Sequence, residues 1–151
     1  MATFKSFDEI EAWQQARELT RFVYAASGRG AFGRDFGLRD QIRRAAVSAL
    51  SNIAEGFGRG GVREFIQFLR VARGSTSEVG AQLYVAFDQG YLTDEEFRQL
   101  QGQATRAGSV ISGFIRYLQS ASLRANPSNQ RNPMNEERIR RTNEAEKVCG
   151  K

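Results

Sequence analysis

Arg39, Arg43 and Arg44, followed by Arg59, Arg63, Arg70 and Arg73, form the densest basic group in the sequence ahead of residue 124. A guanidinium is always charged and presents paired donors that match two oxygens of a phosphate, so the chemistry open to this group is to hold a polyanion. The alternative is a solvated helical face on which the arginines pair with Asp40, Glu64 and Glu78. Aromatic residues do not interleave the arginines as they would in a base-stacking platform. The expected contact is therefore with the backbone of RNA or DNA, and is tolerant of sequence.

Reactions that need a general base find little here. The sequence has no histidine, which removes histidine metal sites, Ser-His-Asp and Cys-His arrangements and the commonest base at neutral pH. Asp94, Glu95 and Glu96 stand together, but at the start of a predicted helix, where carboxylates favour the positive end of the dipole. Glu55 and Glu78 are isolated and are expected to pair with nearby arginines. Two runs match GxGxxG, Gly28 to Gly33 and Gly56 to Gly61. The dinucleotide fingerprint needs a preceding strand and a βαβ unit, so both runs are read as turns. The free amides opening the helix after Gly61, flanked by Arg59 and Arg63, are able to hold a phosphate. The expectation is a protein with no catalytic residue, no metal and no cofactor.

Helices must position the arginines. Leu38, Ile42, Ala45, Ala46, Ala49, Ile53 and Phe57 recur at spacings of three and four. That is the stripe of a helix facing a core, and it predicts a helix over 38–57. Beside it Ala45, Ser48, Ala49, Asn52 and Gly56 make a ridge of small side chains that a neighbour can approach closely. Gly56, Gly58, Gly60 and Gly61 predict its end, since glycine takes the left-handed conformation that closes helices. A further helix over 62–89 then runs back antiparallel. Counting from the turn sets Ala45 opposite Gly74, and Gln41 and Arg44 opposite Glu78. Gly74 and Ser75 are expected as contact residues, because a glycine inside a helix costs about 1 kcal/mol relative to alanine and close packing would offset it. The apolar positions of this helix wrap more than one face, which predicts packing inside a bundle and against a second copy.

Two more helices complete the set. Ser6 with Glu9 has capping-box spacing, and Ile10, Trp13, Ala16, Leu19, Val23 and Ser27 follow at helical intervals, predicting a first helix over 8–27. Residues 28–37 read as a loop in which Phe32 and Phe36 plug the end of the core. Thr93 with Glu96 is a second capping box, and Phe97, Leu100, Ala104, Ala107, Ile111, Phe114, Ile115 and Leu118 carry a last helix to 123. With no strand in view, the fold class is all-α: an antiparallel up-down-up-down four-helix bundle.

The domain is expected over 1–123, with a polar, basic tail over 124–151 that holds both prolines and forms a short helix, Glu136 to Glu146, only on contact. The first 123 residues hold 15 Lys+Arg against 13 Asp+Glu, and the tail 7 against 4. The bundle is thus only mildly basic, and a polyanionic partner has to be argued from clustering. One cysteine, Cys149, permits no intramolecular disulfide. No apolar run approaches the ~20 residues that span a bilayer, and the opening MATFKSFDEIEAW lacks the pattern of a secretory signal. No membrane association and a cytoplasmic location are expected.

The words QIRRAAVS at Gln41 to Ser48, SNIAEGFGR at Ser51 to Arg59, EFIQFL at Glu64 to Leu69 and ARGSTSE at Ala72 to Glu78 closely resemble the signature of the 23S ribosomal RNA intervening-sequence (S23-type) proteins. The resemblance runs from about Phe7 to Leu118. The accessory variability determinant of diversity-generating retroelements belongs to the same structural group. The resemblance implies a four-helix bundle assembled as a ring of five, without enzymatic activity. For the retroelement members it implies a basic scaffold that binds a reverse transcriptase and nucleic acid. The expected function is a non-catalytic homo-oligomeric scaffold for nucleic acid or a nucleic-acid enzyme. The alternative is a protein-protein adaptor whose arginines form only ion pairs and ring contacts.

Overall fold

The computed structural model describes residues 3–126. A 3-10 turn at Phe7–Glu9 leads into α1 (Glu11–Ser27), a short α2 (Gly30–Arg34), α3 (Phe36–Gly58), α4 (Val62–Asp88) and α5 (Asp94–Ala125). No strand occurs among the described residues. Cross-helix bonds fix the directions. Thr20 Oγ1 donates to the Ala46 carbonyl at 3.2 Å, and Arg43 reaches back to Ser27 and Tyr24, so α1 and α3 are antiparallel. Ser48 meets Ser75 and Gly56 meets Phe68, setting α3 against α4. Gln101 Nε2 donates to the Gly80 carbonyl at 2.7 Å while Gly108 faces Thr76, setting α4 against α5. This is the up-down-up-down bundle.

Two apolar clusters fill it. One gathers Leu19, Val23, Phe32, Ile42, Val79, Leu83 and Leu100; the other gathers Ile10, Ala16, Ile53, Phe65, Leu69, Ile111 and Ile115. Each large side chain withdrawn from water contributes about 1.5–3 kcal/mol. Hydroxyls lie within and between the clusters, and Thr20, Ser75 and Thr76 each have a partner, as buried polar groups require. Thr20 bonds Ala16 and Ala46, Ser75 bonds Val71 and Ser48, and Thr76 bonds Arg73.

Contacts divide the chain into two compact units, Met1–Leu118 and Gln119–Lys151. In the second, the described residues 119–126 are helical as far as Ala125, and Leu123 is exposed. The expected tail helix and Cys149 lie outside the described residues.

The structure corrects several expectations. Ser6 caps nothing with its side chain, and Glu9 instead accepts the Lys5 amide at 3.0 Å, so the first capping box does not form and α1 starts after Ile10. The expected loop contains α2; Phe32 is buried, while Phe36 is 63% exposed and lies under the Arg39 guanidinium. Gly56 does not stop α3. It is buried inside the helix, where a Cβ would sit 2.6 Å from the Phe68 Cβ; the left-handed residue is Gly60, at φ +79°. Gly74 has nothing within 4 Å of where its Cβ would be, so the α3–α4 crossing runs through Ser48 and Ser75 and not through Gly74. Thr93 does cap Glu96, but the Glu96 carboxylate turns to Arg29 at 3.3 Å.

Asp35 organises one end of the bundle. Its Oδ1 accepts the Leu38 amide at 3.1 Å, capping α3, and its Oδ2 accepts the Tyr91 hydroxyl at 3.0 Å while the Tyr91 ring stacks on Phe32. That hydrogen bond, then burial and the nearby negative charge, hold the Tyr91 pKa above its usual range. A pKa raised on folding stabilises fully below the unfolded value, about 10, and the contribution disappears as pH rises through the folded value. The stability gap between the parent and Tyr91→Phe is therefore expected to shrink from about pH 10 upward. Denaturant midpoints between neutral and strongly alkaline pH check this, and a gap independent of pH would contradict it.

Candidate nucleic-acid interface

Three of the seven arginines are engaged within the chain. Arg43 Nε donates to the buried Ser27 hydroxyl at 2.8 Å, and its guanidinium lies 4.4 Å from the Tyr24 ring centroid. It fastens α3 to the end of α1. Arg39 pairs with Asp40 at 3.0 Å, donates to the Gly33 carbonyl at 3.1 Å and covers Phe36. Arg59 pairs with Glu55 at 2.7 Å and lies over Phe68. The bond to Glu55 raises the Arg59 pKa.

Arg44, Arg63, Arg70 and Arg73 are exposed, and among the described residues none has an ion pair or side-chain hydrogen bond. Arg44 flanks a shallow depression with Tyr24, Asp40, Arg43 and Val47. Arg63 and Arg70 lie seven residues apart on α4, two turns along one side of the helix. Arg73 lines a groove between α4 and α5. The group is thus spread over α3, the start of α4 and that groove, with no single patch. Gly61 opens α4 without a side-chain cap, which leaves the first amides of that helix to solvent or an anion beside Arg63.

The carboxylates follow the expected pattern in part. Glu55 pairs with Arg59, whereas Glu78 accepts only a 3.4 Å bond from Gln82 and meets no arginine among the described residues. The register set by Ser48 and Ser75 brings Arg44 to about the level of Glu78, as counted from the turn, but the two side chains form no ion pair. Among the described residues no three His, Cys, Asp or Glu side chains gather where they could hold a metal ion. No helix among them is long and apolar enough to cross a membrane.

Arg116 was not among the sequence candidates. It lines the same groove as Arg73, together with Thr105, Ser109 and Ser112. The spacing of those four residues on one side of a helix was the available signal.

A family model described as 23S rRNA-intervening sequence protein matches residues 8–113, from the first turn well into α5. A solved structure is similar at 21% identity with a TM-score of 0.62, covering 69% of this chain and 97% of the other. It is the 1.70 Å crystal structure of a protein with unknown function from the S23 ribosomal protein family of Bacteroides thetaiotaomicron VPI-5482. At that identity the likeness bears on the fold. No curated protein matches the chain.

Proposed function

We propose, for a chain that belongs to the 23S rRNA-intervening sequence protein family, that it is a non-catalytic homo-oligomeric scaffold which binds the phosphate backbone of nucleic acid. The observation that carries this reading is the set of exposed guanidiniums of Arg44, Arg63 and Arg70, which have no ion pair among the described residues. Self-association is supported by Val47, Val71 and Val85, which are 37%, 53% and 48% exposed on α3 and α4. A ring of five copies would repeat these scattered arginines on a rigid body, and repetition raises avidity without new contacts. A head-to-tail contact closes only where its rotation fits a whole number of copies. The scaffold's protein partner in this reading is a nucleic-acid enzyme such as a reverse transcriptase, and its place of work is the cytoplasm.

The second reading, a protein-protein adaptor, draws support from Arg39, Arg43 and Arg59, all engaged within the chain. Two measurements separate the readings. Light scattering is expected to give one species with the mass of a ring of five, and a single-chain mass would remove the assembly. A labelled mixed-sequence single-stranded RNA is expected to bind at low salt and to be released as salt rises. Absence of binding even at low salt would leave the adaptor.

A further inference from the structure

We propose that the groove between α4 and α5 is a sugar-phosphate site, in which Arg73 and Arg116 hold the phosphate and a row of hydroxyls faces the polyol. The groove is open to solvent and offers about 510 Å³ within the first compact unit, a size that small ligands occupy. Its lining includes no carboxylate and no aromatic ring. Two positive charges with no acid beside them call for an anion, and the lack of a ring leaves a base nothing to stack on.

The wall supplied by α5 carries Thr105, Ser109, Ser112 and Arg116 along one side of the helix. Among the described residues the three hydroxyls have no hydrogen-bond partner, and the two arginines have no ion pair. On the α4 wall Thr76 and Ser77 donate their protons to the Arg73 carbonyl at 2.7 and 3.3 Å, which leaves both oxygens as acceptors. Unbonded donors face free acceptors across the groove, the pattern that suits a molecule bearing its own hydroxyls.

Register gathers the charge at one end. Gly80 faces Gln101 and Thr76 faces Gly108, so an antiparallel pair brings Arg73 to about the level of Ser112, with Arg116 roughly one turn further. Both flexible guanidiniums can then reach one phosphate, which accepts paired bonds from each. Glycine keeps the floor open: a Cβ at Gly108 would stand 3.1 Å from the Thr76 hydroxyl, and one at Gly80 would stand 3.4 Å from Gln101 Oε1.

The same chemistry occurs in a free sugar phosphate and in the backbone of single-stranded RNA, whose riboses keep a 2′ hydroxyl. The site goes beyond the function proposed above, because Arg116 and the α5 hydroxyls lie outside the arginine group on which that function rests. Calorimetric titration tests it. The parent is expected to bind ribose 5-phosphate and not ribose, and Arg73→Gln and Arg116→Gln are each expected to weaken binding about tenfold or more. The variant Arg44→Gln, Arg63→Gln, Arg70→Gln should bind ribose 5-phosphate as the parent does. Oligouridylate that displaces ribose 5-phosphate would identify the RNA backbone as the source, and failure to displace it a free sugar phosphate. Absence of ribose 5-phosphate binding, binding that neither glutamine variant weakens, or an equal loss in the triple variant would overturn the proposal. Arg73 and Arg116 are exposed, so the variants keep the fold, and far-ultraviolet circular dichroism verifies that.

Discussion

Gly56→Leu is expected to destabilise the bundle by about 3 kcal/mol, the upper part of the range for overpacking a filled core. Gly56 is buried in α3 with Phe65 and Phe68 of α4 against it, and even a single added carbon would sit 2.6 Å from the Phe68 Cβ and 2.8 Å from the Phe65 Cδ2. The Phe68 Cβ is fixed by its own helix, so relief requires α3 and α4 to separate. Gly74 makes the contrast. With nothing within 4 Å of its Cβ position and a place in the middle of α4, Gly74→Ala should gain up to about 1 kcal/mol from helix propensity alone. Chemical denaturation of the two variants reads the sign of each change. A Gly56→Leu variant that melts like the parent would mean that α3 and α4 do not cross as closely as described.

The second large effect concerns binding. Changing Arg44, Arg63 and Arg70 together to glutamine is expected to weaken binding of single-stranded RNA by about 1,000-fold or more at low salt, since each lost charge-assisted contact is worth about 1.5 kcal/mol or more. Arg43→Gln is the control. Its guanidinium is held by Ser27 and Tyr24, so the change should cost stability, by leaving the buried Ser27 hydroxyl without that donor, and should alter RNA affinity far less. If Arg43→Gln weakens RNA as much as the triple change, the engaged and free arginines act alike and the division between them fails.

The long helices were legible because their apolar residues repeat at three and four, and the words around Arg43 and Arg59 carried the family. What was missed has physical causes. Glycine both ends helices and permits close approach, and nothing in the run from Gly56 to Gly61 says which residue does which; only φ at Gly60 and the phenylalanines facing Gly56 separate the roles. Gly74 was misplaced because counting from a turn gives the level along two helices and not the face: Ser75 is buried and meets Ser48, while Gly74 beside it lies on the exposed side of α4. Asp35 caps Leu38 three residues on, but it lay inside the glycine-rich run read as a loop; its bond to Tyr91, 56 residues away, left no local signal. Arginines that look alike in sequence differ in the fold: Arg43 is spent on α1, while Arg44 beside it stays free. Only the α5 wall of the α4–α5 groove left a signal in the sequence, since the two walls lie apart in the chain.

The measurement that bears most directly on the proposed function is the salt dependence of RNA binding, taken as the slope of log affinity against log salt. Each phosphate neutralised on a single strand contributes about 0.7 to that slope. The triple change is therefore expected to flatten it by about 2 per bound subunit relative to the parent. An unchanged slope in the triple variant would show that the free arginines of α3 and α4 do not neutralise phosphates, and would contradict a nucleic-acid scaffold built on them.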